Sequence, residues 1–223
     1  MPENLRHTLD FLRDLRANND RAWFEQNRQR YDAARGNYED FITDLIIQCS
    51  DFEDLGGVTA NDCIYRIYRD VRFSPDKTPY KTNIGAVIGK GGRKTIGRSY
   101  YIQIGPEGES MIAAGLYMPS KEQLEQMRRS IADDSSKLRK VLNKRDFKRY
   151  FNGLEGEMLK TAPQGYRKDH PDIDLLRHKQ FLASSPLSEE QVLAPDLVEY
   201  VVGGFKALRP LETYIHEVLG IDP

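Results

Sequence analysis

The chain has 223 residues, a formal net charge of −1, 39% hydrophobic and 30% charged residues. That balance fits a soluble protein with enough apolar material for a core, and it excludes a protein that coats nucleic acid through bulk charge. No run reaches the ~20 apolar residues of a spanning helix, and Met1 to His7 lack the apolar stretch of a secretory signal. Cys49 and Cys63 have no metal-ligand spacing around them and read as reduced, buried thiols. The expected setting is cytoplasmic.

In chain order, Leu5, Leu9, Leu12 and Leu15 recur at three- and four-residue steps and predict an amphipathic helix. Asn18-Asn19-Asp20 breaks it and supplies a cap for a second helix over 21–34, with Trp23 and Phe24 packing inward. A third helix is expected after Gly36, with Phe41, Leu45 and Ile46 facing the core. From Asp62 the period changes to two. Ile64 to Phe73 reads as a strand with Tyr65, Ile67, Val71 and Phe73 on one face and Arg66, Tyr68, Asp70 and Arg72 on the other. Arg69 violates that pattern by falling on the apolar face.

Further strands are expected at 83–88, 99–104 and 110–117. The turn Gly89 to Lys94 reads as a flexible hairpin tip, and Gly105-Pro106-Glu107-Gly108 as a tight turn. Ser120 and Gln123 form a capping box for a helix reaching toward Leu138. The chain from 143 to 156 carries no clear period. Asp169 or His170 is expected to cap a short helix bearing Leu175, Leu176 and Phe181, and Ser188 and Asp196 are further caps before a last helix over 197–219. The expected architecture is one α+β domain, 1–223, with helices over 4–52, a four-stranded or larger antiparallel meander over 62–117, and helices over 120–220.

Charge concentrates in the middle. Between Ile64 and Arg98 nine Lys/Arg face only Asp70 and Asp76, a local +7 that leaves −8 for the remainder. The run Arg66, Arg69, Asp70, Arg72, Phe73, Lys77, Tyr80 satisfies R-x-x-R-D-x-R-F-x-x-x-K-x-x-Y. With Asn27, Arg28 and Tyr31, with Gly115-Leu116-Tyr117 and with Asp169-His170-Pro171, it resembles a bacterial family catalogued as domain of unknown function 2461. The resemblance spans nearly the whole chain. It implies a single bacterial domain and carries no established activity or catalytic residue.

Arginine forks with lysines suit a phosphate or carboxylate. The expected anion-binding set is Arg66, Arg69, Arg72, Lys77, Tyr80 and Lys81, with Asp70 accepting from Arg66 and Arg72 and orienting them. Arg93 and His170 are accessory candidates, and Tyr68, Tyr100 and Tyr101 could stack on bases. Gly89 to Lys94 lacks Walker spacing, and no metal-ligand or nucleophile-elbow pattern occurs, so neither a metal, a cofactor nor a catalytic residue is assigned. The leading expectation is a site for a phosphate-bearing small molecule or nucleotide, with no membrane partner. The alternatives are a nucleic-acid-associated module and a structural or partner-binding domain whose motif is an internal salt-bridge network.

Overall fold

The computed structural model describes residues 4–221. Positions 1–3 and 222–223 of the expected domain lie outside the described residues. The chain divides into two compact units: Met1–Thr95 with Tyr101–Ile112 and Pro186–Gly203, and Ile96–Tyr100 with Ala113–Ser185 and Gly204–Pro223.

In the first unit, α1 (Arg6–Ala17) buries Leu9, Leu12 and Leu15 of the expected stripe and adds Phe11, with Leu5 buried just before the helix. Each such side chain removed from water contributes ~1.5–3 kcal/mol. Asp20 caps α2 (Arg21–Gln26) by accepting the Trp23 N–H at 2.9 Å. The single helix expected over 21–34 breaks at Asn27. Its side-chain amide takes the Trp23 carbonyl at 2.9 Å, competing with the helical ladder. A new helix, α3, then runs over Arg28–Cys49. It passes through Gly36 instead of starting there, since Ala34, Asn37, Tyr38 and Phe41 bury a continuous face that outweighs the ~1 kcal/mol propensity cost of glycine. That face uses Ile42, while Ile46 is only half-buried.

After α4 (Ala60–Cys63), the expected strand 64–73 is not a strand. It is one limb of an irregular antiparallel arm. Tyr65 N–H donates to Gly85 O at 2.9 Å, Lys81 N–H to Ile67 O at 2.8 Å, and Arg69 N–H to Pro79 O at 2.9 Å. Between the first two contacts one limb advances two residues, 65 to 67, and the other four, 81 to 85. The register therefore slips by two and only the isolated bridges Ile64↔Ala86 and Tyr68↔Tyr80 survive. Pro75 and Pro79 also remove ladder donors.

Four strands, β1 (Ile84–Gly89), β2 (Ser99–Ile104), β3 (Met111–Leu116) and β4 (Phe181–Pro186), form an antiparallel sheet in the order β1-β2-β3-β4. The expected α+β class with an antiparallel meander is therefore present, but its fourth strand is β4 and not 64–73. Glu109 N–H donates to Pro106 O, and Glu107 and Gly108 both have positive φ (58° and 81°), the mirror-image turn that matches strand twist. The expected flexible tip at 89–94 is instead a 3₁₀ turn, Gly92–Lys94. Gly92 has φ 58°, and a Cβ there would sit 2.6 Å from the Asp62 carbonyl carbon, so the tip is packed on α4.

In the second unit, α5 (Lys121–Asp133) carries the expected capping box, and Leu138 belongs to a separate helix, α6 (Ser136–Leu142). The segment without clear period contains α7 (Arg145–Tyr150). The short helix α8 (Ile173–Leu176) follows Asp172, not Asp169 or His170, and stops before Phe181. Phe181, Ala183 and Ser185 are buried in alternation, so the period of two places this stretch in β4. Two helices complete the chain: α9 (Glu189–Leu193), capped by Ser188 as expected and falling in the first unit, and α10 (Leu197–Leu219), which runs through both units. Among the described residues no helix is long and apolar enough to cross a membrane.

Candidate functional site

The arm 64–81 collects the charged motif, and its foundation is aromatic. Phe24 is fully buried and stacks on Tyr80, with ring centroids 4.0 Å apart and planes at 12°. Phe11, Tyr31 and Tyr68 surround Phe24 within 6.2 Å. Asn19 pins Tyr80 further, donating to its carbonyl at 3.0 Å and accepting from its N–H at 3.1 Å. Tyr80 is thus buried and held in the packing beneath the arm. Tyr68 keeps 44% of its surface exposed. Arg28 lies 5.9 Å over Phe24 and 5.5 Å over Tyr31, so the Asn27-Arg28 pair does border the arm.

The charges do not act as one cluster. Asp70 binds Arg72 through two hydrogen bonds, Nε–H to Oδ1 at 2.9 Å and an Nη–H to Oδ2 at 2.6 Å. The expected second bond, from Arg66, is not formed. The Arg72 fork and backbone N–H, helped by the charge of Arg66, hold the Asp70 carboxyl below its usual range. Arg69 is engaged by Asp76 and Thr78. Hydrogen bonds from the Thr78 backbone, from Arg69 and from the Thr78 hydroxyl bring Asp76 down to about 2, so the pair persists across ordinary pH. Lys77 donates to the Val71 carbonyl at 2.9 Å and closes the loop between them. Phe73 at its tip is 95% exposed, with the Arg72 guanidinium 5.9 Å over the ring. Arg69→Gln is therefore expected to speed amide exchange across 71–78 with little change in melting temperature; equal exchange rates would show that prolines and packing alone hold the loop.

Arg66 and Lys81 are different. Among the described residues neither has an ion-pair partner. Burial depresses the Lys81 pKa, and the Arg66 charge depresses it further. Lys81 Nζ stands 5.4 Å over the Tyr65 ring. Arg66, Lys77 and Lys81 thus remain as a net +3 after Asp70 and Asp76 are matched.

The accessory candidates lie elsewhere. Arg93 donates to the Ile64 carbonyl and braces the root of the arm. His170 is in the second unit, where it lines an open groove of about 860 Å³ with Ser135, Arg139, Asp172 and Asp174. Its Nδ1 accepts the Asp172 N–H at 3.1 Å, and Asp172 accepts from Ser135 at 2.6 Å and Arg139 at 2.8 Å. Those side chains satisfy one another. Tyr100 is buried against Phe205 and cannot stack on a base. Cys49 and Cys63 are buried and not joined in a disulfide, and burial pushes the Cys63 thiol up to about 11, which keeps it protonated at neutral pH. The sequence puts Arg66 and Lys81 in one expected set, but the register slip between their two limbs is not encoded in alternation.

A family model described as "Conserved hypothetical protein (DUF2461)" matches residues 7–214. The chain matches no curated protein and no solved structure.

Proposed function

The chain belongs to the DUF2461 family, and we propose that it binds a phosphate-bearing small molecule at the arm through Arg66, Lys81 and Lys77, with Tyr68 and Tyr65 beside the anion. The observation that carries this reading is the Arg66–Lys81 pair: two cations in mutual repulsion, one of them half-buried, neither in an ion pair among the described residues and only Arg66 sensing a carboxylate, the Arg72-bound Asp70. Leaving such a charge desolvated and unmatched is unfavourable, and an anion relieves it. Arg72 and Arg69 hold the loop in shape, each already joined to its aspartate. The arm offers cations and phenols but no unengaged carboxylate or imidazole, so the reading is of binding and not of catalysis.

Calorimetric titration with inorganic phosphate, pyrophosphate and ATP tests it. Arg66→Gln and Lys81→Gln are each expected to weaken binding about tenfold or more, ~1.4 kcal/mol. Arg72→Gln should change it far less. Lys81 has a depressed folded pKa, so the folded state loses a proton before the unfolded chain does. Stability should therefore rise with pH from that depressed pKa up to the ordinary lysine value, and ligand binding there should take up protons. Without ligand, Arg66→Gln should leave the melting temperature unchanged or raise it. A salt-bridge network demands the opposite: a lower melting temperature for Arg66→Gln and no stabilisation by any of the three anions would defeat the proposal. A nucleic-acid module acting through the arm would show a steep salt dependence that a small ligand lacks.

A further inference from the structure

A second concentration of positive charge lies in the other unit. Residues 137–149 hold seven Lys/Arg against one acid, Asp146, a local +6 that leaves −14 for the chain outside this stretch and 64–98. Two of the seven are engaged, Lys137 with Glu217 and Arg139 with Asp172 and Asp174. Lys140, Lys144, Arg145, Lys148 and Arg149 are all exposed, and among the described residues none has an ion-pair partner. Asn143, Arg145, Asp146, Lys148 and Arg149 line a shallow depression of about 740 Å³.

The helix does not require this arrangement. Lys144 and Arg145 stand at the N-terminal end of α7, where the helix dipole disfavours cations; only Lys148 and Arg149 sit at the favourable end. Lys144 with Lys148, and Arg145 with Arg149, are like-charge pairs four residues apart, which destabilise a helix. Of the apolar residues of these helices Leu138, Val141 and Phe147 are buried and Leu142 and Tyr150 half-buried, so no large apolar side chain stands exposed for insertion into a bilayer. We infer that the face formed by Lys140, Lys144, Arg145, Lys148 and Arg149 binds the phosphate backbone of a nucleic acid without reading its sequence. This surface shares no residue with the arm.

Fluorescence anisotropy with a labelled random-sequence DNA duplex, between 50 and 200 mM KCl, tests the inference. Four or five phosphate contacts give a log–log salt slope of about −4, so affinity should drop by roughly two orders of magnitude over that range. The triple variant Lys144→Gln, Arg145→Gln, Lys148→Gln should bind at least tenfold more weakly at low salt, with the slope shallower by about three. Its melting temperature should stay equal or rise, because like-charge pairs are removed. Lys144→Arg with Lys148→Arg should retain binding. The inference is overturned if wild type fails to bind at 50 mM salt or if the triple variant binds as wild type does. It is also overturned if Arg66→Gln with Lys81→Gln removes duplex binding instead, or if phosphatidylserine vesicles but not the duplex are bound through these residues.

Discussion

Phe24→Ala is expected to destabilise the protein by about 3–5 kcal/mol, the range for truncating a buried aromatic. That is a large share of the ~5–15 kcal/mol that holds an ordinary domain together. The ring is fully buried among Phe11, Tyr31, Tyr68 and Tyr80, and the stack on Tyr80 gives it no room to be replaced by collapse from one side. Trp23, the one tryptophan in the sequence, lies 6.0 Å from Phe11 in the same cluster and reports the transition by fluorescence in guanidinium titrations. Phe24→Leu separates packing from site geometry. It keeps most of the apolar volume but loses the flat surface under Tyr80, so the fold should survive while the arm loosens and phosphate affinity falls. A loss below about 1 kcal/mol for Phe24→Ala would mean that Asn19 and the backbone contacts, not the aromatic stack, hold the arm.

How much of this was legible in the chain depends on whether local signals agreed. Where cap, period and composition coincide, the reading holds to the residue, as at Ser120 with Gln123, Ser188 with Gln191, and Asp20. Asn27 falls inside the expected helix over 21–34 because nothing in the sequence says that its side chain will bond a backbone carbonyl four residues back. The 64–73 segment alternates throughout except at Arg69, yet alternation describes a half-buried extended chain, and pairing depends on the opposite limb. Thr82 and Asn83 fall where the register slips, and no pattern within 64–73 contains that fact. For the candidate site, the sequence collects the charged stretch that the arm carries, and the break in alternation at Arg69 coincides with its engagement by Asp76 and Thr78. Tyr80 and Arg93 find their partners, Phe24 and the Ile64 carbonyl, far away in the chain, where no local pattern points. The basic face on α6 and α7 was visible only as composition, since its meaning lies in which cations find acids.

Gly115→Ala should be comparably costly for a different reason. Gly115 lies in β3 with φ 128°, a conformation in which an L side chain is strained by about 1–3 kcal/mol. A Cβ there would overlap the Phe181 carbonyl oxygen and stand 2.8 Å from the Leu182 Cα. Both obstacles are backbone, so no flexible side chain can yield, and the β3–β4 pairing must open by the difference. Overpacking of that kind adds about 1–3 kcal/mol. Together they predict a fall in melting temperature on the order of 10 °C for a chain of this size. Gly153→Ala is the internal control: φ is 141°, but a Cβ would meet nothing within 4 Å, so it carries the conformational cost alone. The gap between the two variants measures the close approach of β4 to β3. Equal losses would assign the cost to backbone conformation, and then Gly115 in the Gly115-Leu116-Tyr117 motif would mark a bend in β3 instead of the place where β4 closes on it.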